Sequence, residues 1–496
     1  MPVALGLLTA LIVGWLWGGL VEPATIHDES AYLLQAELLA SGRFSAEPPP
    51  LPEFFEQSHV LVTPRLAPKY PPGHALLLVP GIWLGLPGLV PVLLAGLAGG
   101  LLFALVRQVA GVWPAGLAWA IWLGAPAGNL WRATYLSEST SAAVWLATAW
   151  LLLRWQRAGG ARELIAIAVG VGWMAITRPL TAIALAAPVA VLVLLRVVRR
   201  RQWGALAGAA AAGLLVLCVI PIWNAASTLD WTKTPYAEYS RVYIPYQKLG
   251  FGVDPAPALR ALPPDMAAAD LNYRRIHAAH TAESLPRAFV ERIVAAAREV
   301  YGGSAWRVTL AVFALVGLFA LDARGRFALV WTLALFVSYL VYAHPLDWLV
   351  YYYEVHAFFA FAAALGLWTV LERISARHAQ RAAAACLALL VALGARDALA
   401  TRDEIAARGA YHREFARALA AIVRDPKAIV FVRYGPEHDP NLALVENSAD
   451  PERERVWVVY DRGIADNARL LAIAPERVPY YYDEASSRIS KLLPIP

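Results

Sequence analysis

Hydrophobic residues along this chain come in runs of about 15 to 22, close to what a helix needs to cross ~30 Å of hydrocarbon at 1.5 Å per residue. The runs lie near 3–22, 88–106, 113–130, 136–153, 163–177, 180–198, 204–224, 306–321, 327–343, 355–371 and 382–398. Each predicts a membrane-spanning helix, eleven in all. One further run, 76–86, contains Pro80 and is too short to span, so it reads as an interfacial or half-inserted helix.

Charge then sets the direction of the crossings. The clusters Arg154/Arg157/Arg162, Arg196/Arg199/Arg200/Arg201, Arg324/Arg326 and Arg373/Arg377/Arg381 mark cytoplasmic loops. Counting from them puts the N-terminus inside and the C-terminus outside. Four stretches share the outer side: 23–87, the Asn129–Ser137 corner, about 225–305, and the tail after 400. The first opens with Asp28-Glu29-Ser30, continues with Ala31, Leu34, Leu38 and Leu39 at helical spacing, and closes at Ser41-Gly42. That pattern predicts a short amphipathic helix on the membrane surface. The tail alternates a helical pattern near 411–424 with β-rich runs at Ala428–Arg433 and Val456–Tyr460. The expected fold is an all-α polytopic membrane protein of about eleven transmembrane helices over residues 1–399, followed by a small extracytoplasmic α/β domain over 400–496.

Composition agrees with a membrane class. Of 496 residues 59% are hydrophobic and 16% charged, with mean hydropathy +0.50. The net charge of +6 does not imply a nucleic-acid partner, because the arginines sit at the ends of apolar runs rather than on one face. Cys218 and Cys386 both lie inside apolar runs, which excludes a disulfide framework or a CxxC metal site. Leu5–Val21 lacks a basic leader and a clear cleavage site, so an uncleaved first span is expected.

The residues able to do chemistry gather on the outer side. Asp28 and Glu29 follow the first span, where adjacent carboxylates can deprotonate a hydroxyl or hold a cation against a phosphate; acids at a helix start also serve as an N-cap. Lys69, ahead of Tyr70 and the rigid Pro71-Pro72 turn, places a point charge at the depth of a lipid phosphate, or snorkels there. Glu138 and Arg178 stand at the outer ends of spans, positions expensive for a charge; they can line a site or pair with each other. Tyr351-Tyr352-Tyr353-Glu354-Val355-His356 enters a further span from outside, as an aromatic belt or as hydroxyls and an imidazole, chiefly Tyr352 and His356, offered to the same cavity. Tyr236, Tyr239, Tyr243 and Tyr246 recur in the long second outer loop, where rings stack on sugars or sit at the interface. His277 and His280, beside Arg274 and Arg275, are poorly placed for a metal.

In this order and on this one side, the motifs Asp28-Glu29-Ser30-Ala31-Tyr32, Lys69-Tyr70-Pro71-Pro72, Glu138 and Thr177-Arg178-Pro179 resemble those of the integral-membrane GT-C glycosyltransferases. The likeness spans about residues 1–375, and family 39 is the nearest group: protein O-mannosyltransferases, lipid A aminoarabinose transferases and lipopolysaccharide-core galacturonosyltransferases. It implies a GT-C-type fold and a polyprenyl-phosphate sugar as donor. Asp28 would be the catalytic acid residue of the first outer loop, and Lys69 would contact the donor phosphate. Arg178 would stand where the family's TK(G/P) motif has lysine. Pro68 occupies the place where the aminoarabinose transferase has an acid that helps bind metal, so a divalent cation stays open.

The expected reaction is an inverting hexosyl or pentosyl transfer on the extracytoplasmic face of the inner (plasma) membrane. Lys69 and Arg178 would grip the phosphate while Asp28 takes the proton of a lipid, glycan or protein hydroxyl; no nucleotide cofactor and no nucleic acid are expected. The alternative is a transporter or flippase for a lipid-linked or anionic substrate, which would also carry charges in its spans.

Overall fold

The computed structural model describes residues 1–253 and 256–492 and is mostly helical. Among the described residues six helices are long and apolar enough to cross a membrane: Leu89–Ala110, Pro179–Arg200, Trp203–Thr228, Ala323–Val341, Leu349–Ser375 and Ala379–Arg408. A bent pair, Ala282–Tyr301 and Ala305–Phe319, meets at 118°, and Pro2–Trp17, Gly73–Trp83 and Val112–Leu123 are shorter apolar helices. The chain is a membrane protein. The run at 113–130 is not one helix: it stops at Leu123, and Pro126 starts a separate short helix to Arg132. Proline favours a first turn and cannot continue a preceding ladder. The helix Glu138–Ala158 ends where Gly159 adopts φ +68 and returns its N–H to the Trp155 carbonyl.

Residues Met1–Leu20, Gly88–Val219 and His280–Ala406 form one compact unit. Small residues set its helix spacing, as expected where lipid removes the hydrophobic drive between helices. Pro2–Trp17 lies so close to Leu89–Ala110 that a Cβ on Gly96 would stand 2.8 Å from the Gly6 carbonyl oxygen. Val308–Phe319 and His356–Ser375 approach closer still: a Cβ on Gly366 would fall 1.8 Å from the Phe313 carbonyl oxygen. Two buried arginines satisfy carbonyls released at helix ends. Arg307 donates to the Ile121, Gly124 and Val300 carbonyls, and Arg132 to that of Trp122 and to the Tyr353 hydroxyl.

The second unit joins three stretches far apart in sequence: Val21–Pro87, Ile220–Ala279 and Ala407–Pro496. The first stretch holds the helix His27–Ala40 and a small antiparallel ladder of β1 (Val60–Leu61) with β2 (Ala67–Pro68). The tail holds β3 (Ala428–Arg433), β4 (Val456–Tyr460), β5 (Val478–Asp483) and β6 (Arg488–Lys491) in the order β4-β3-β5-β6. β3 runs parallel to both neighbours, and β6 returns antiparallel on β5. Central parallel strands are covered on both faces, and β3 is accordingly buried from Ala428 to Val432. Val430 and Val432 face the helix Ala410–Ile422 through Phe415 and Leu419. Ile429 and Phe431 face the other way, where Phe54 and Phe55 of the first stretch complete the core. The 23–87 segment and the tail therefore share one hydrophobic core.

A candidate carboxylate and lysine site

Ile26, extended at φ −141, is the N-cap residue of the helix His27–Ala40, so Asp28 sits inside the first turn with its side chain released from capping. A carboxylate there is favoured by the helix dipole. Its Oδ1 accepts a hydrogen bond from the Tyr70 hydroxyl. The Nε2 atoms of His27 and His59 lie 3.1 and 3.4 Å from its Oδ2. His59 reaches this point from a turn in the left-handed region, φ +68, a conformation costly for a side chain and characteristic of over-determined sites. Burial works against the ionised Asp28 carboxyl, but His59 and His27 hold it well below the usual carboxylate range. Burial, and next the charge of Lys69, push the His59 imidazole down to about 3 despite the pull of Asp28. Near neutral pH His59 is thus a neutral imidazole, which supports the Asp28 carboxylate as a hydrogen-bond donor rather than as a charge.

Lys69 follows β2, and its backbone N–H donates to the His59 carbonyl at 2.9 Å. Its side chain is buried, with Nζ 4.9 Å from the ring centroids of Tyr236 and Tyr239 and 5.3 Å from that of Tyr70. Among the described residues the ammonium has no ion-pair partner; three ring faces stand where an anion would. Burial lowers its pKa to about 8, with the charge of Asp28 resisting. Tyr70 is stacked on Tyr32 at 4.6 Å, which locks the ring whose hydroxyl meets Asp28. Glu29 is buried and accepts from the Thr25 hydroxyl at 2.9 Å, a contact that braces the start of the helix.

His27, Asp28 and His59 can each offer one donor atom within 4.8 Å of the others. Both Nδ1 atoms of the histidines are buried without a hydrogen-bond partner among the described residues. Two imidazoles and a carboxylate suit a divalent transition-type cation better than Mg²⁺. The residues present therefore fit such an ion.

Glu138, Arg178, Tyr352 and His356 belong to the other unit. Arg178 precedes Pro179 at the start of a helix, and its Nη1 lies 3.4 Å from both Glu138 Oε1 and Glu354 Oε1. Nη2 donates to the Val350 carbonyl at 3.0 Å, and the Tyr351 ring lies 5.7 Å from Cζ. All three charged side chains are buried. Tyr352 instead bonds His344 Nε2 at 2.9 Å and stacks on Phe336, and His356 Nε2 lies 2.9 Å from Glu299 Oε2. From the same aromatic segment, Glu354 and Tyr351 are among the Arg178 contacts. His277 is buried against Tyr246, away from any cluster of metal-ligating type among the described residues.

No protein-family model matches the sequence, and no curated protein is significantly similar to it. Solved structures are. ArnT from Cupriavidus metallidurans bound to undecaprenyl phosphate aligns with TM-score 0.51 at 14% identity, over 98% of this chain and 90% of ArnT. The apo state of the same protein aligns with TM-score 0.52 at 15% identity, over 97% and 92%. The fold is of the GT-C type.

Within this GT-C fold, Asp28 is brought together with the neighbours Lys69 and Tyr70 as one cluster, although Asp28 and Tyr70 are 42 positions apart in the chain. His27 and His59 were not singled out from sequence. The signal for His27 was its place beside Asp28; a lone histidine in a polar loop carried none for His59. Glu354 was visible as an acid entering a span.

Proposed function

We propose that this protein is a glycosyltransferase that moves a sugar from a polyprenyl-phosphate donor to the hydroxyl of a lipid, glycan or protein acceptor, with inversion, on the extracytoplasmic face of a cell membrane. The observation that carries the reading is the Lys69 ammonium, buried, facing three tyrosine rings and held in no close ion pair among the described residues, with the ionised Asp28 carboxylate near enough for its charge to act on it. An anion is the ligand such a cation lacks. A fold shared with ArnT, a protein solved with undecaprenyl phosphate bound, supports a lipid-linked donor.

In the reaction, the acceptor oxygen forms a bond to the anomeric carbon while the bond from that carbon to the phosphate oxygen breaks. The electron pair leaves with the phosphate, whose growing charge Lys69 meets, and the acceptor proton passes to Asp28. A carboxylate with a depressed pKa stays ionised yet is a weak base. It therefore works late, after the leaving phosphate has made the anomeric carbon electron-poor. Tyr70 and the two histidines fix the direction of the carboxylate lone pairs. A divalent cation held by His27, Asp28 and His59 would add positive charge toward the phosphate.

Glu29 supports the helix start, and Arg178 with Glu138, Glu354 and Tyr351 serves the transmembrane part, where Tyr352 and His356 line neighbouring contacts. The reading includes eleven crossings, a cytoplasmic N-terminus, a catalytic part over 1–399 and an extracytoplasmic tail over 400–496. The test is transfer of tritiated sugar from a panel of undecaprenyl-phosphate monosaccharides by wild type and Asp28→Asn. Asparagine keeps the size and loses the basicity, so turnover falls by ~10²- to 10⁴-fold with lipid-phosphate binding retained. Wild-type turnover in Asp28→Asn would remove the mechanism.

A further inference from the structure

The tail reaches the reaction site through a strap, Asn441–Ala449, that is neither helix nor strand. Its middle, Ala443, Leu444 and Val445, is buried, and its path is pinned from the tail side: the Leu444 N–H donates to the Tyr434 hydroxyl at 2.7 Å. The other side grips the first outer loop at two places. At the first, the N–H of His27 donates to the Asn441 carbonyl at 3.3 Å, and the Ser30 hydroxyl donates to Glu446 Oε1. These two residues bracket Asp28. At the second, Asn447 donates three hydrogen bonds. Its N–H donates to Gln57 Oε1 at 2.8 Å, and its Nδ2 donates to the Phe55 carbonyl at 2.8 Å and again to Gln57 Oε1 at 3.0 Å. Gln57 bridges to Val60 across the left-handed residue His59.

We propose that the strap Asn441–Ala449 is a positioning element of the reaction site: Glu446 and Asn441 fix the helical turn that carries Asp28, and Asn447 fixes the turn that carries His59. The inference rests on the reading of Asp28 as the reacting carboxylate. Helical geometry supports it, since residues two apart point to different sides of a helix. Ser30 is therefore held from a side other than the one Asp28 presents to Tyr70 and the histidines. A residue such as His59 keeps φ +68 only where surrounding bonds over-determine it, and the Asn447 bonds to Phe55 and Gln57 are of that kind. Glu446 stays open to solvent, but the surrounding protein, with Glu37 adding like charge, raises its carboxyl to about 7 while Ser30 resists. Glu446 and Glu37 are the titratable groups facing each other here, Glu37 in turn facing Glu454.

The experiment uses the full-length protein in nanodiscs, with variants Asn447→Ala, Glu446→Ala, Glu446→Gln and Ser30→Ala. Hydrogen–deuterium exchange is read in peptides over 26–33 and 55–62, together with undecaprenyl phosphate binding and sugar transfer from the undecaprenyl-phosphate panel. Asn447→Ala should raise exchange over 55–62 at least 10-fold, and Glu446→Ala that over 26–33. Transfer should fall at least 10-fold in both, with undecaprenyl phosphate affinity within about 3-fold, because Lys69 is untouched. Glu446→Gln keeps an acceptor for Ser30 and should behave like wild type. Ser30→Ala should match Glu446→Ala, and the double variant should lose no more than either, the mark of one shared contact. Unchanged local exchange in Asn447→Ala, or loosened loops with transfer retained, would overturn the proposal, and so would Glu446→Gln failing like Glu446→Ala. Should Asp28→Asn transfer normally, the parent reading fails, and the exchange data alone then decide whether the strap holds the loop.

Discussion

The Lys69 ammonium stands 4.9 Å from the ring centroid of Tyr239, and both groups are buried. A cation over a ring gains about 0.5–2 kcal/mol, less than a buried ammonium loses in leaving water, so the site is poised for an anion. Lys69→Ala should weaken undecaprenyl phosphate binding by ~10- to 100-fold, since a hydrogen bond to a charged group contributes about 1.5–3 kcal/mol. Lys69→Arg should recover part of it. Titration calorimetry in nanodiscs checks this, and equal affinity in Lys69→Ala would place the lipid phosphate elsewhere.

The same lysine makes binding depend on pH. Its pKa is lowered to about 8, and only the protonated form attracts a phosphate. Affinity should hold below that value and fall as pH rises through it, by up to tenfold per pH unit while a bound phosphate keeps the lysine charged. Lys69→Arg, protonated throughout, should show no such limb. A limb of the same shape in Lys69→Arg would assign the titration to another group.

Arg178 is expected to be a structural keystone of its unit. It lies between Glu138 and Glu354, and two carboxylates outnumber one guanidinium among these three side chains. Removing one partner from a buried ion cluster costs about 3–5 kcal/mol, so Arg178→Ala should unfold at markedly lower temperature. Glu354→Gln lowers the excess negative charge and keeps an acceptor, so its loss should be about 1 kcal/mol or less, as for a single neutral hydrogen bond. Thermal unfolding in nanodiscs ranks the two, and Glu354→Gln as damaging as Arg178→Ala would refute the charge argument.

Much of this was legible in the sequence, because burial and period are local properties. The apolar runs lie on helices, and the β-rich runs Ala428–Arg433 and Val456–Tyr460 are the two strands β3 and β4. What was not legible is what tertiary packing brings together. Phe54 and Phe55 complete the core of the tail sheet, which no pattern within 23–87 or after 400 could reveal. The contacts of Arg178 illustrate a local cause. Leu349–Val355 is a 3₁₀ segment, which the run of aromatic residues in the sequence does not announce. There, residues three apart share a face, which brings Tyr351 and Glu354 to the guanidinium.

The close approach of Val308–Phe319 to His356–Ser375 gives a sharp test of the packing. A Cβ on Gly366 would meet the Phe313 carbonyl oxygen at 1.8 Å, and one on Gly317 would meet the Ala362 carbonyl oxygen at 1.9 Å. Backbone oxygens cannot rotate away as a side chain can, so the helices must move apart. Overpacking typically costs about 1–3 kcal/mol, and here both Gly366→Ala and Gly317→Ala should lie at the upper end or beyond. Gly204, also in a helix, has open space around its missing Cβ. Gly204→Ala should instead stabilise by about 0.5–1 kcal/mol, because alanine loses less backbone entropy and has the higher helix propensity. The same chemical change is thus expected to act with opposite signs at two helical sites. Thermal unfolding of the three variants in matched nanodiscs measures this, and a Gly366→Ala protein as stable as Gly204→Ala would show that the two helices do not pack at this distance.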